Sequence, residues 1–127
     1  MGQLHTRYIL LTATYCAGIF YLSSLSEPPD PGISIPYLDK FVHALLYAGL
    51  AATVSIGIRR SNETVQPWVQ MWIPVTFATA YGVMDEVHQM FVPNRDWELS
   101  DLIADAVGAG LAQLALVHGL WRARDRR

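Results

Sequence analysis

The sequence predicts an all-α fold: one domain over residues 1–127, built as a bundle of four membrane-spanning helices. Three observations predict it. Of the 127 residues, 52% are hydrophobic and 16% charged, where ordinary soluble domains carry roughly 25% charged residues. Removing the charged positions leaves gaps at residues 8–26, 41–58, 64–84 and 106–121, which are 19, 18, 21 and 16 residues long. The basic residues are segregated, seven of the nine lying near the chain ends or between the second and third gaps. At 1.5 Å per residue, a helix needs about 20 mostly apolar residues to cross a hydrocarbon core of roughly 30 Å. Spans at approximately 8–26, 40–58, 67–91 and 101–121 are therefore expected. A soluble bundle would show a charged face on each helix, and YILLTATYCAGIFYLSSL and FVHALLYAGLAATVSIGI show none.

The first span carries Cys16, the sole cysteine, which excludes disulfide frameworks and metal–thiolate clusters. SEPPDPGISIPY then breaks the helix and delivers the chain to Asp39 at the mouth of the second span. Pro67 suits the first turn of the third helix, where its missing N–H is no loss, and Pro74 should kink that helix from within. Ala44, Ala48 and Ala52 in the second span and Ala104, Gly108 and Ala112 in the fourth recur every four residues, which allows close backbone approach.

Arg7, Arg59, Arg60, Arg122, Arg124, Arg126 and Arg127 fall on one side of a four-span path, and Lys40 and Arg95 on the other. An excess of Lys and Arg in short loops marks the cytoplasmic side, so both termini are expected inside. The outer side holds nine of the eleven acids: Glu27, Asp30, Asp39, Asp85, Glu86, Asp96, Glu98, Asp101 and Asp105.

Among these, Asp39, His43 and Tyr47 stand at i, i+4 and i+8, on one helix face. Asp85, His88 and Gln89 share a face of the third helix, and Asp101 and Asp105 one of the fourth. Ionisable groups within spans face the bundle interior or a water-filled cavity, so three polar faces are expected to form an outer pocket. Asp39, Asp85, Glu86, Asp101 and Asp105 against Lys40 and Arg95 leave a formal charge of −3, with the histidines neutral. Such a cluster must share protons, bind a cation or stay open to water. Mixed oxygen and imidazole ligands suit a divalent metal, Mg²⁺, Mn²⁺, Ca²⁺ or Zn²⁺, with Asp39, His43, Asp85 and Asp101 the candidate ligands. Simpler roles stand beside these. Asp39 and Asp101 suit helix caps, His43 a core imidazole bonded to Asp85 or Gln89, and Arg95 a counter-ion for Asp85 or Asp101. Glu86, one residue from Asp85, is expected to point elsewhere, towards solvent, and VPNRDWELS to form a short lid.

DKFVHALLYAGLA, DEVHQMFVPNRDWELSD and DLIADAVGAGLA, with the YLSS that ends the first span, resemble the VanZ-like family of small membrane proteins over residues 22–112. The resemblance supports Asp39, Lys40, His43, Tyr47, Asp85, Glu86, Gln89, Arg95, Asp101 and Gly108 as characteristic positions. Asp105 departs from the pattern, which has Asn there. The resemblance implies a four-helix protein of the bacterial cytoplasmic membrane, in a family some of whose members are associated with teicoplanin-type resistance. Together with the pocket it leads us to expect an envelope ligand, either a glycopeptide or the head group of a lipid-linked wall precursor. The alternatives are a metal-assisted enzyme acting on such a lipid, or a structural carboxylate network. The expected surroundings are the lipid bilayer, with no nucleic acid partner.

Overall fold

A computed structural model describes residues 4–27, 32–62, 64–122 and 126. Asp30, Arg124 and Arg127, which enter the charge partition, lie outside them. The described chain is all-helical: α1 (Thr6–Ser23), α2 (Leu38–Ser61), α3 (Pro67–Gln89) and α4 (Leu99–Ala115), the last continued by a π-helical stretch, Leu116–Trp121. A helix lies over each expected span, with ends within about three residues of the expected ones. Helix α2 runs past the charge-free gap at both ends. Asp39 in its first turn and Arg59 and Arg60 in its last each complement the helix dipole. Pro67 opens α3, and helix persists through Pro74 to Gln89.

Helix α2 packs against all three others, and α1 lies on α2 and α3. The tightest crossing is α2 on α4, where a Cβ added at Gly108 would land on the backbone carbonyl of Ala44. The small-residue stripes predicted this approach. Helix α1 is held by two tyrosine hydroxyls donating to backbone carbonyls, Tyr15 to Leu46 at 2.7 Å and Tyr81 to Cys16 at 2.6 Å.

Polar and apolar side chains are distributed the opposite way from a soluble domain. Nine polar or charged residues are buried among the described ones, against seven hydrophobic ones. Phe20, Phe41, Leu45, Trp68, Trp72, Met84, Ile103 and Leu111 meanwhile face outward. An apolar exterior around a hydrogen-bonded polar interior suits lipid as the solvent. By length and composition, α2, and α4 with its π-helical continuation, are each able to cross a bilayer. At 1.5 Å per residue their 24 and 23 residues reach about 35 Å.

The two ends of the bundle differ. At one end the backbone N–H of His5 donates to Ser61 Oγ at 2.9 Å, and the Arg59 guanidinium lies 5.7 Å from the centre of the Trp121 ring. Arg7, Arg59, Arg60 and Arg122 thus gather there. Further in from that end, Gln70 bonds to the Ser55 carbonyl and hydroxyl at 3.0 and 2.6 Å, and Gln113 to the Ala51 carbonyl at 3.2 Å. The acids gather at the opposite end.

Candidate functional site

Lys40 stands in the first turn of α2, where its ammonium meets three carboxylates: Asp101 and Glu98 at 2.5 Å each and Asp39 at 2.8 Å. Asp101 is largely buried, whereas Asp39 and Glu98 are exposed. The ammonium holds the Glu98 carboxyl below the usual glutamate range. The N-cap positions are Tyr37 and Glu98, neither with a side-chain cap bond, while Asp39 and Asp101 stand inside the first turns of α2 and α4 and both pair with Lys40.

One turn deeper, Asp85 accepts hydrogen bonds from Ser23 of α1, from Tyr47 at 3.1 Å and, weakly, from Gln89 at 3.4 Å. Residues 39, 43 and 47 of α2 and 85 and 89 of α3 thus border one cavity, with the Tyr47–Asp85 bond joining the two helices. His88 departs from that face. It stacks on Phe20 with ring centres 4.4 Å apart and bonds Ser24 at 2.9 Å, joining α3 to α1.

His43 pairs with neither Asp85 nor Gln89, but with Asp105 of α4, Nδ1 lying 2.9 Å from Oδ1. Its Nε2 is 3.8 Å from Asp101. Asp105 is thus the partner of the central imidazole.

Two further expectations are corrected. Glu86 is fully buried rather than solvent-facing. Its Oε2 accepts the backbone N–H of Glu98 at 3.1 Å, because the chain leaving α3 folds back over this face to start α4. Arg95 pairs with neither Asp85 nor Asp101 among the described ion pairs, and donates to the Leu25 carbonyl at 3.2 Å. Lys40 takes the counter-ion role for Asp101, since it starts on the helix that packs most closely on α4.

These groups border a cavity of about 680 Å³. Its apolar wall is Ile19 and Leu22 of α1 with Leu38, Val42 and Leu46 of α2, and its floor is Ser23, His43, Tyr47, Asp85 and Gln89. Asp39, Asn94, Arg95, Asp96, Glu98 and Asp101 form the rim. Asn94 has a left-handed backbone, φ 62°, at the turn that brings the expected lid over the opening. Of the predicted pocket residues, Lys40, Glu86 and Asp105 sit behind the lining rather than in it. An apolar groove on α1 and α2 continues from the cavity, lined by Tyr15, Gly18, Ile19, Tyr21, Leu22 and Leu46.

The four candidate metal ligands do not form one group. Asp39 and Asp101 surround the Lys40 ammonium, which fills the place of a cation there. Asp85 is engaged by hydroxyl and amide donors, and His43 falls with Glu86 and Asp105. Ser23, Asn94 and Glu98 are site residues that spacing did not single out. For Ser23 the signal was present in YLSS, and for Glu98 in the excess of outer acids. Compared with protein-family models, curated proteins and solved structures, the chain matches none, so its activity rests on the chemistry of the site.

Proposed function

We propose that the chain is a four-span protein of the bacterial cytoplasmic membrane, with both termini inside, that binds an envelope ligand in this outward-facing cavity. The carrying observation is the cavity's divided lining: an apolar wall from α1 and α2 that continues into an apolar groove, facing a floor of hydrogen-bonding side chains. That division fits an amphipathic ligand whose polar head meets Asp85 and Tyr47 and whose apolar part lies along α1. Glycopeptides and lipid-linked wall precursors both have this character, and the VanZ-like sequence pattern favours the same class. Five acids and one arginine line the cavity, so an amine-bearing head is preferred over a bare phosphate.

The test is mass spectrometry of lipids retained by purified wild type and Asp85→Asn, together with binding of a fluorescent teicoplanin-type glycopeptide to both. Wild type is expected to retain one of these ligands unchanged. Asp85→Asn should weaken its binding by about tenfold, the loss of one charge-assisted hydrogen bond. Conversion of the lipid during incubation would replace recognition by catalysis. Absence of any Asp85-dependent ligand would overturn the proposal.

A further inference from the structure

Behind the cavity floor, His43 of α2, Glu86 of α3 and Asp105 of α4 bring one ligand atom each within 4.8 Å of one another. Glu86 and Asp105 are fully buried, and each leaves a carboxylate oxygen, Oε1 and Oδ2, with no hydrogen-bond partner among the described residues. Asp105 Oδ2 is turned towards α3, where a Cβ added at Gly82 would lie 2.9 Å from it. Gly82 is one turn before Glu86, so the two carboxylates meet across the α3–α4 contact. Two ionised carboxylates in a buried helix interface are strongly unfavourable without a compensating positive charge.

The geometry points to a divalent transition-metal site of the Zn²⁺ type, held by His43, Glu86 and Asp105, one ligand from each of three helices. The donor set decides the class. Mg²⁺ and Ca²⁺ favour shells of oxygen alone, whereas an imidazole with two carboxylates suits Zn²⁺ and its first-row neighbours. Ligands about 2.1 Å from a tetrahedral Zn²⁺ lie roughly 3.4 Å apart, so the three groups need close by only about an ångström. The dication balances two carboxylates with a neutral imidazole, and Gly82 leaves the space that a side chain would fill. Lys40 screens the rim acids Asp39, Glu98 and Asp101 and directs the cation to the deeper group. His43 belongs both to this group and to the cavity lining, so the ion sits in the wall between the cavity and the α2–α4 contact.

The experiment is metal analysis of the detergent-solubilised full chain after chelation, incubation with Zn²⁺ in excess Mg²⁺, and removal of free metal. Wild type should retain one Zn²⁺ per chain and melt at a higher temperature with it than without, since an ion that binds only the folded state stabilises it. Asp105→Asn and Glu86→Gln, which keep side-chain size, should lower Zn²⁺ affinity by at least about tenfold. Asp39→Asn and Asp85→Asn should retain the ion, which separates this site from the envelope-ligand reading. Mn²⁺ bound to wild type should show spin-echo modulation from an imidazole nitrogen, a readout independent of whether any variant folds. Folded wild type that retains no Zn²⁺ after the incubation, Mn²⁺ lacking a nitrogen ligand, or loss of metal in Asp39→Asn would each overturn the proposal. The first would mean that protons hold the carboxylates instead.

Discussion

Lys40 decides how the acids at this end of the bundle coexist. Its single ammonium serves Asp39, Glu98 and Asp101, of which Asp101 is the largely buried one. Removing the lysine leaves that carboxylate facing a helix interface with only the His43 imidazole, at 3.8 Å, beside it. Lys40→Met is expected to destabilise the protein by about 2 kcal/mol, less than a fully buried pair because the lysine stays partly in water. Lys40→Met combined with Asp101→Asn should recover most of that loss, and a double-mutant cycle by denaturation in detergent measures the coupling. Additive losses would show that Lys40 acts through Asp39 and Glu98 alone. Periodicity made the faces of Asp39, His43, Tyr47, Asp85 and Gln89 legible in the sequence, since i, i+4 and i+8 fix a direction. It left open which partner each face meets. Asp85 and Glu86 point about 100° apart, and both are buried because α3 has α1 on one side and α4 with its incoming loop on the other. That arrangement depends on tertiary packing, which adjacent residues do not encode.

At the level of the helices, the closest fit is α2 against α4. The stripe Ala44, Ala48, Ala52 against Ala104, Gly108, Ala112 announced it, because only small side chains let two backbones approach. At Gly108 no methyl fits: an added Cβ meets the Ala44 carbonyl, a backbone group that moves only if the helices separate. Gly108→Ala is therefore expected to cost about 1–3 kcal/mol despite alanine's better helix propensity. Gly110→Ala, two residues on, meets nothing within 4 Å and should instead gain up to about 1 kcal/mol. Thermal unfolding of the two variants checks this, and equal shifts would remove the crossing as the tight point. The crossing also carries the site. It sets the His43–Asp105 distance of 2.9 Å and brings Lys40 to Asp101, so Gly108→Ala should weaken any ligand that depends on either pair. Helix ends were less legible than helix existence. Charges at a terminus, such as Asp39 in the first turn and Arg59 and Arg60 in the last, join the helix when the dipole favours them, although they lie outside the charge-free gap.

On the scale of the molecule, the bundle is polarised along its axis. One end joins the start of α1 to the end of α2 through His5 and Ser61, and the end of α2 to Trp121 through Arg59. The other joins α1 to α3 through Ser24 and His88, and α2 to α4 through Lys40 and Asp101. Arginine collects at the first end and carboxylates at the second, with an apolar exterior between them. Basic residues in short loops are retained on the cytoplasmic side, and acids carry little orienting weight, so the arginine end sets the direction. In the orientation proposed above, the acidic end with its cavity faces outward, where an envelope ligand has access and the cytoplasm does not. Reporter fusions after Arg60 and at the C-terminus are expected to be active only for a cytoplasmic reporter, and a fusion after Pro31 only for an external one. The Pro31 and Arg60 positions bracket α2, so opposite readings show that α2 crosses, and a shared reading would deny it. A complete reversal would keep the crossings and place the cavity inside, which would remove extracellular glycopeptides from its possible ligands.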